Sequence, residues 1–126
     1  MKQLLEIATS KADSAEVFMT SNESNQISFE NSKVNEISDK IQTGYALRII
    51  KNGKIGSSYT KNLLDRDDVV NRALDSLHGG VEAKFDFPQA HTPGELKMFD
   101  PEMENISTHQ VLEGAKQINS SLAPQV

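Results

Sequence analysis

Cysteine is absent from the 126-residue chain, so neither a disulfide framework nor a thiolate zinc knot can hold it together. That absence fits a reducing compartment, and a cytoplasmic location is the expectation. Basic clusters are missing too. Lys and Arg total 13 against 18 Asp and Glu, a net charge of −5, and the densest basic feature is the interrupted pair Lys51 and Lys54. Phosphate backbones need clustered cations, so nucleic acid is not the expected partner. No stretch reaches the about eighteen apolar residues that a membrane-spanning helix needs, so no membrane is expected as a partner. The opening "MKQLLEIATSKADSAE" meets charge too early to form the apolar centre of a signal peptide. Without such a signal, Asn22-Glu23-Ser24, Asn105-Ile106-Ser107 and Asn119-Ser120-Ser121 are read as chance matches to the glycosylation triplet.

What is present is ordinary globular material, 37% hydrophobic and 25% charged. Area scaling at this mass gives roughly 6,700 Å² exposed when folded against about 20,000 Å² unfolded, enough burial for one self-sufficient core. Lys2–Lys11 carries Leu4, Leu5 and Ala8 at helical spacing, with Ala12 one step beyond. Ala15–Ser21 alternates as a strand, and the alternation continues through Ile27 and Phe29 to a turn at Asn31-Ser32. In "VNEISDKI", Val34, Ile37 and Ile41 fit a helical stripe, while Val and Ile between turn residues fit a strand; the balance favours the strand.

"GYALRIIKNGKIGSSYTKNL" (residues 44–63) is the most informative stretch. Asn52-Gly53 supplies the two positive-φ positions of a type I′ turn. Counting outward, Lys51 faces Lys54, Ile50 faces Ile55, Ile49 faces Gly56, Arg48 faces Ser57, Leu47 faces Ser58 and Ala46 faces Tyr59. Leu47 and Ile49 opposite the small Gly56 and Ser58 leave a shallow seat for a helix. Arg48 falls on the other face with Ile50, Ile55 and Tyr59, its stem on apolar surface and its head reaching water or a carboxylate. "LLDRDDVVNRALDSLHGG" (63–80) supplies the helix for that seat, with Asp65 as N-cap, Val70, Ala73, Leu74 and Leu77 on one stripe, and Gly79 as the C′ residue. From Val81 the period is lost among Pro88, Pro93, Gly94 and Pro101, a long connection with a short strand possible at Lys84–Phe87. Val111, Leu112, Ala115, Ile118 and Leu122 then define a last helix, with Ser107 as N-cap and Gln110 in the capping-box position.

Catalytic chemistry is not visible. His78, His91 and His109 lie in different elements and form no ligand spacing, so a helix end and exposed positions account for them. "GKIGSS" lacks the order of a phosphate loop and runs along a hairpin strand; the turn accounts for its glycines. Asp65, Asp67 and Asp68 suit a helix start, and Ser57, Ser58 and Thr60 have no histidine nearby in sequence. Arg48 is the best polar candidate in the sheet, with a partner carboxylate or simple snorkelling expected.

Ala15–Phe18, Ser28–Asn31, the set Gly44, Arg48, Gly53, Gly56, Tyr59 and Thr60, and the later Met98–Glu102 together resemble the N-terminal part of the TldD/PmbA family. These are zinc metallopeptidases also known as modulators of DNA gyrase. The resemblance implies an N-terminal fragment, involved through its parent in proteolysis or peptide processing. The fragment would flank the active-site groove and aid a homodimer or a heterodimer with a paralogous subunit. The family's His-Glu metal motif lies in its later portion and matches nothing here, so catalytic, metal and cofactor-binding residues are all expected to be absent. The chain alone is not expected to be an enzyme, and zinc is expected in the parent's C-terminal domain. Arg48, Asn52, Gly53, Gly56, Tyr59 and Thr60 remain as candidate polar or structural positions.

The expected fold is α/β (α+β), a mostly antiparallel sheet of four or five strands with helices packed on one face. Residues 1–80 form the N-terminal domain, 81–106 an extended connection, and 107–126 a helix leading towards a metallopeptidase domain. The rival reading is a stand-alone binding or assembly module whose exposed strand edge pairs with a partner chain.

Overall fold

The computed structural model describes residues 1–89 and 92–122. Its elements are α1 (Lys2–Lys11), β1 (Ser14–Glu30), β2 (Lys33–Lys51), β3 (Lys54–Thr60), α2 (Arg66–Ser76) and α3 (Thr108–Leu122), with 3₁₀ turns at Leu77–Gly79 and Pro101–Asn105. The sheet has three strands in the order β1-β2-β3, an α+β fold but not the four or five strands expected. The difference lies in strand length. The polar interval Thr20–Gln26 contains no Gly or Pro and stays extended, so the expected pieces fuse into a β1 of 17 residues. Residues 33–51 likewise form one strand of 19 residues, which settles Val34–Ile41 as strand. The further strand expected at Lys84–Phe87 is not formed; the chain makes one isolated bridge earlier, Glu82 to Lys54.

Contacts divide the chain into two units, Met1–Asn22 with Gln42–His91 and Glu23–Ile41 with Thr92–Val126. The first holds the core. Leu47 and Ile49 from β2 meet Leu4 and Ala8 from α1 and Val69, Val70 and Ala73 from α2, all buried. Helices α1 and α2 therefore lie on one face of the sheet, as expected. The β2–β3 register is the one counted from the turn, from Lys51↔Lys54 to Ala46↔Tyr59, and Asn52 and Gly53 have φ of 51° and 73°. Such turns fix register because a one-residue slip would send every core side chain to the solvent face. Asp65 caps α2 by accepting the Asp68 N–H at 2.9 Å. The C-terminus of α2 differs from expectation. The helix tightens into the 3₁₀ turn Leu77–Gly79, whose cap, Gly80, is extended at φ −68°. Gly53 is the glycine with positive φ, so Gly79 does not act as a left-handed C′ residue.

The second unit contains the Asn31-Ser32 turn, both residues at positive φ, and α3. The capping box closes as read: the Gln110 N–H donates to Ser107 Oγ at 3.2 Å and the Ser107 N–H donates to Gln110 Oε1 at 2.8 Å. None of this unit's described residues is buried, so the single core expected for the chain belongs to the first unit. No helix among the described residues is long and apolar enough to cross a membrane.

Candidate functional site

Arg48 stands on the face of the sheet away from α1 and α2. Alternation along β1 turns Ala15 and Val17 towards the core and leaves Glu16 facing Arg48, whose Nε and Nη2 both reach Glu16 Oε1. The ring of Phe87 lies 5.3 Å from the guanidinium carbon, within cation–π range, and meets Phe85 edge-on at 6.1 Å. The partner carboxylate expected for Arg48 is thus Glu16. Beside the pair is an open depression of about 450 Å³ lined by Glu16, Val17, Phe18, Ala46 and Arg48. Both partners of the ion pair are partly solvated, so the pair and the ring contact together stabilise by about 1 kcal/mol. Arg48→Ala should lower unfolding free energy by that amount in urea titration. Arg48→Met, which keeps the stem, should lose about half of it.

The other candidate positions are engaged in the framework. The Asn52 N–H donates to Asp13 Oδ2 at 2.8 Å, pinning the turn to the start of β1. Gly56 lies beneath α2, where a Cβ would run into the Ala73 carbonyl, so close helix approach, not the turn, requires this second glycine. A Cβ on Gly44 would likewise meet the Tyr59 ring, and the Tyr59 carbonyl accepts from Arg72 Nη1 at 3.0 Å. Thr60 Oγ1 donates to the Asn62 carbonyl at 2.8 Å, closing the strand end.

The six residues do not converge on one point. Arg48 and Tyr59 share the outer face, Gly56 faces α2, and Asn52-Gly53 and Thr60 mark opposite ends of β3. His78 and His109 are exposed, and His91 lies outside the described residues. Among the described residues no group of three or more His, Cys, Asp and Glu side chains could hold a metal ion. What the arrangement can do is bind: the depression offers an apolar floor beside a neutralised charge pair. Glu16 and Phe87 escaped sequence reasoning, although the alternation over Ala15–Phe18 set Glu16 on the face opposite to Ala15 and Val17.

Residues 15–77, half of the chain, match the family described as PmbA/TldA metallopeptidase domain 1. No curated protein matches. The fold resembles the crystal structure of a Thermotoga maritima protein named as a candidate modulator of a DNA gyrase. That match has a TM-score of 0.71 at 20% identity and covers 91% of this chain. The chain spans 26% of that protein's length. A match over residues 15–77, which supply Leu47, Ile49, Val69, Val70 and Ala73 of the core and the Glu16–Arg48 pair, shows that the chain belongs to the PmbA/TldD family as its first domain.

Proposed function

We propose that the chain is a non-catalytic N-terminal domain of a PmbA/TldD-type metallopeptidase. In this reading the parent acts in proteolysis or peptide processing in the cytoplasm. A later domain holds zinc and cleaves the peptide. This domain flanks the groove and contributes to a homodimer or to a heterodimer with a paralogous subunit. One observation carries the reading: within a segment of first-domain type, the polar residues that sequence singles out are consumed by framework contacts. Arg48 is closed by Glu16 and Phe87, Asn52 by Asp13, and Thr60 by Asn62.

Peptide-cleavage assays and zinc analysis on the purified chain test this division of labour. Turnover at background level and zinc well below one per chain are expected. Stoichiometric zinc with turnover would overturn it. Reading the coding sequence past Val126 separates the rival: an open frame with a His-Glu metal motif supports a peptidase parent, and a stop codon supports a stand-alone assembly module.

A further inference from the structure

Two turns of this chain share a backbone geometry and differ in the residue that follows the asparagine. Asn31 and Ser32 have φ of 50° and 63°, and Asn52 and Gly53 have φ of 51° and 73°. All four residues are exposed. The backbone nitrogen after an asparagine is a latent nucleophile towards that asparagine's own side-chain carbonyl. Serine crowds the approach with its side chain, whereas glycine has no Cβ to obstruct it. Around Gly53 the space is open as well, with nothing within 4 Å of the position that a Cβ would take.

We infer that Asn52 is a modification site, at which the Gly53 nitrogen closes on the Asn52 side chain and the chain deamidates itself. Solvent base takes the Gly53 amide proton, the nitrogen bonds to Asn52 Cγ, and the Cγ–Nδ2 bond breaks as ammonia leaves. Water then opens the resulting succinimide at one of its two carbonyls. Opening at Cγ gives aspartate. Opening at the main-chain carbonyl gives isoaspartate, whose backbone runs through the former side chain. Neither step is a redox step, and water is the only co-reactant.

The fold sets both the rate and the consequence. Ring closure needs the Asn52–Gly53 peptide to swing out of the turn, and two ties resist the swing. The Asn52 N–H donates to Asp13 Oδ2 at 2.8 Å, and the Ala83 N–H donates to the Gly53 carbonyl at 2.7 Å. The same ties make the hairpin tip the point where the start of β1 and the segment after α2 are gathered. Aspartate at position 52 keeps the turn, because it tolerates the left-handed region, and sets a second carboxylate beside that of Asp13. Isoaspartate lengthens the main chain by one carbon. A two-residue turn fixes hairpin register, so the lengthened one no longer holds Lys51 opposite Lys54.

Ageing the full chain at mildly alkaline pH, with peptide mapping by mass spectrometry and an enzymatic isoaspartate assay, tests the site. Asn52 should convert several-fold faster than Asn31, and Asp13→Ala, which releases one tie, should convert faster again. The isoaspartate form, separated by ion exchange, should unfold at a lower urea concentration than the unaged chain, while Asn52→Asp should stay close to the unaged chain. Conversion at Asn31 as fast as at Asn52, or no conversion at Asn52 even in Asp13→Ala, overturns the site. An isoaspartate form as stable as the unaged chain overturns the consequence for register.

Discussion

Gly56→Val should cost about 3 kcal/mol or more, a large share of the about 5–15 kcal/mol by which native domains are stable. A Cβ at this position would run into the Ala73 carbonyl and would stand 3.0 Å from Leu77 Cγ and Cδ2. The carbonyl is helix backbone and cannot rotate away, so α2 has to lift. Lifting it pulls Val69, Val70 and Ala73 from Leu47 and Ile49 and strains two polar ties. One is Ser58 Oγ donating to the Val69 carbonyl at 2.6 Å; the other is the Ser57 N–H donating to Ser76 Oγ at 2.7 Å. Overpacking alone costs about 1–3 kcal/mol, and each lost hydrogen bond adds about 1 kcal/mol. The sign of the result is decisive. In an unobstructed strand Gly→Val would be favourable, because glycine weakens strands and valine suits them. Urea titration followed by circular dichroism should give a large loss for Gly56→Val and an intermediate one for Gly56→Ala; stabilisation by valine would show that α2 does not rest on Gly56.

The parts of this fold that were legible in sequence are those fixed by local chemistry. Asn52-Gly53 set the hairpin register, and the facing sizes of Ile49 and Gly56 and of Leu47 and Ser58 announced a helix seat that α2 fills. Asp65 and Ser107 marked helix starts because their side chains cap backbone N–H groups within three residues. What escaped depended on distant partners. The strand count was missed because Ala15–Ser21 and the alternation through Ile27 and Phe29 run on as one strand, and strand formation answers to what lies across the sheet more than to composition. Phe85 and Phe87 alternate like a strand, but their rings meet edge-on and the Phe87 ring lies against Arg48. Glu16 could be placed on a face but not paired, since 32 residues separate it from Arg48. Of the site, Arg48 was legible as a polar candidate in the sheet with a carboxylate for a partner. The closing of the β3 backbone was not, because the groups that meet Ile55, Ser57 and Tyr59 come from Val81, Ser76 and Arg72.

Leu47→Ala is the complementary test, a void where Gly56→Val makes a collision, and should cost about 3 kcal/mol within the usual range of about 2–5 for such truncations. Leu47 is fully buried, among the largest side chains of a core with few members. Its cross-strand neighbour is Ser58, too short to swing into the space and already committed to the Val69 carbonyl. The helix above is also tethered: Lys11 Nζ on α1 reaches Asp67 Oδ1 at 3.5 Å and Asn71 Oδ1 at 3.4 Å. Collapse around the void is thus resisted from both sides, and cavity cost rises when a site cannot collapse. Ile118→Ala in α3 provides the control. Ile118 is 64% exposed, and its unit has no buried residue among those described, so the loss should stay within about 0.5 kcal/mol. Chemical denaturation of both variants reads the difference directly. Equal losses would mean that the second unit carries a share of the stability that its exposed side chains do not account for. A large loss confined to Leu47 locates the folding free energy in the seven-residue cluster where α1 and α2 meet β2.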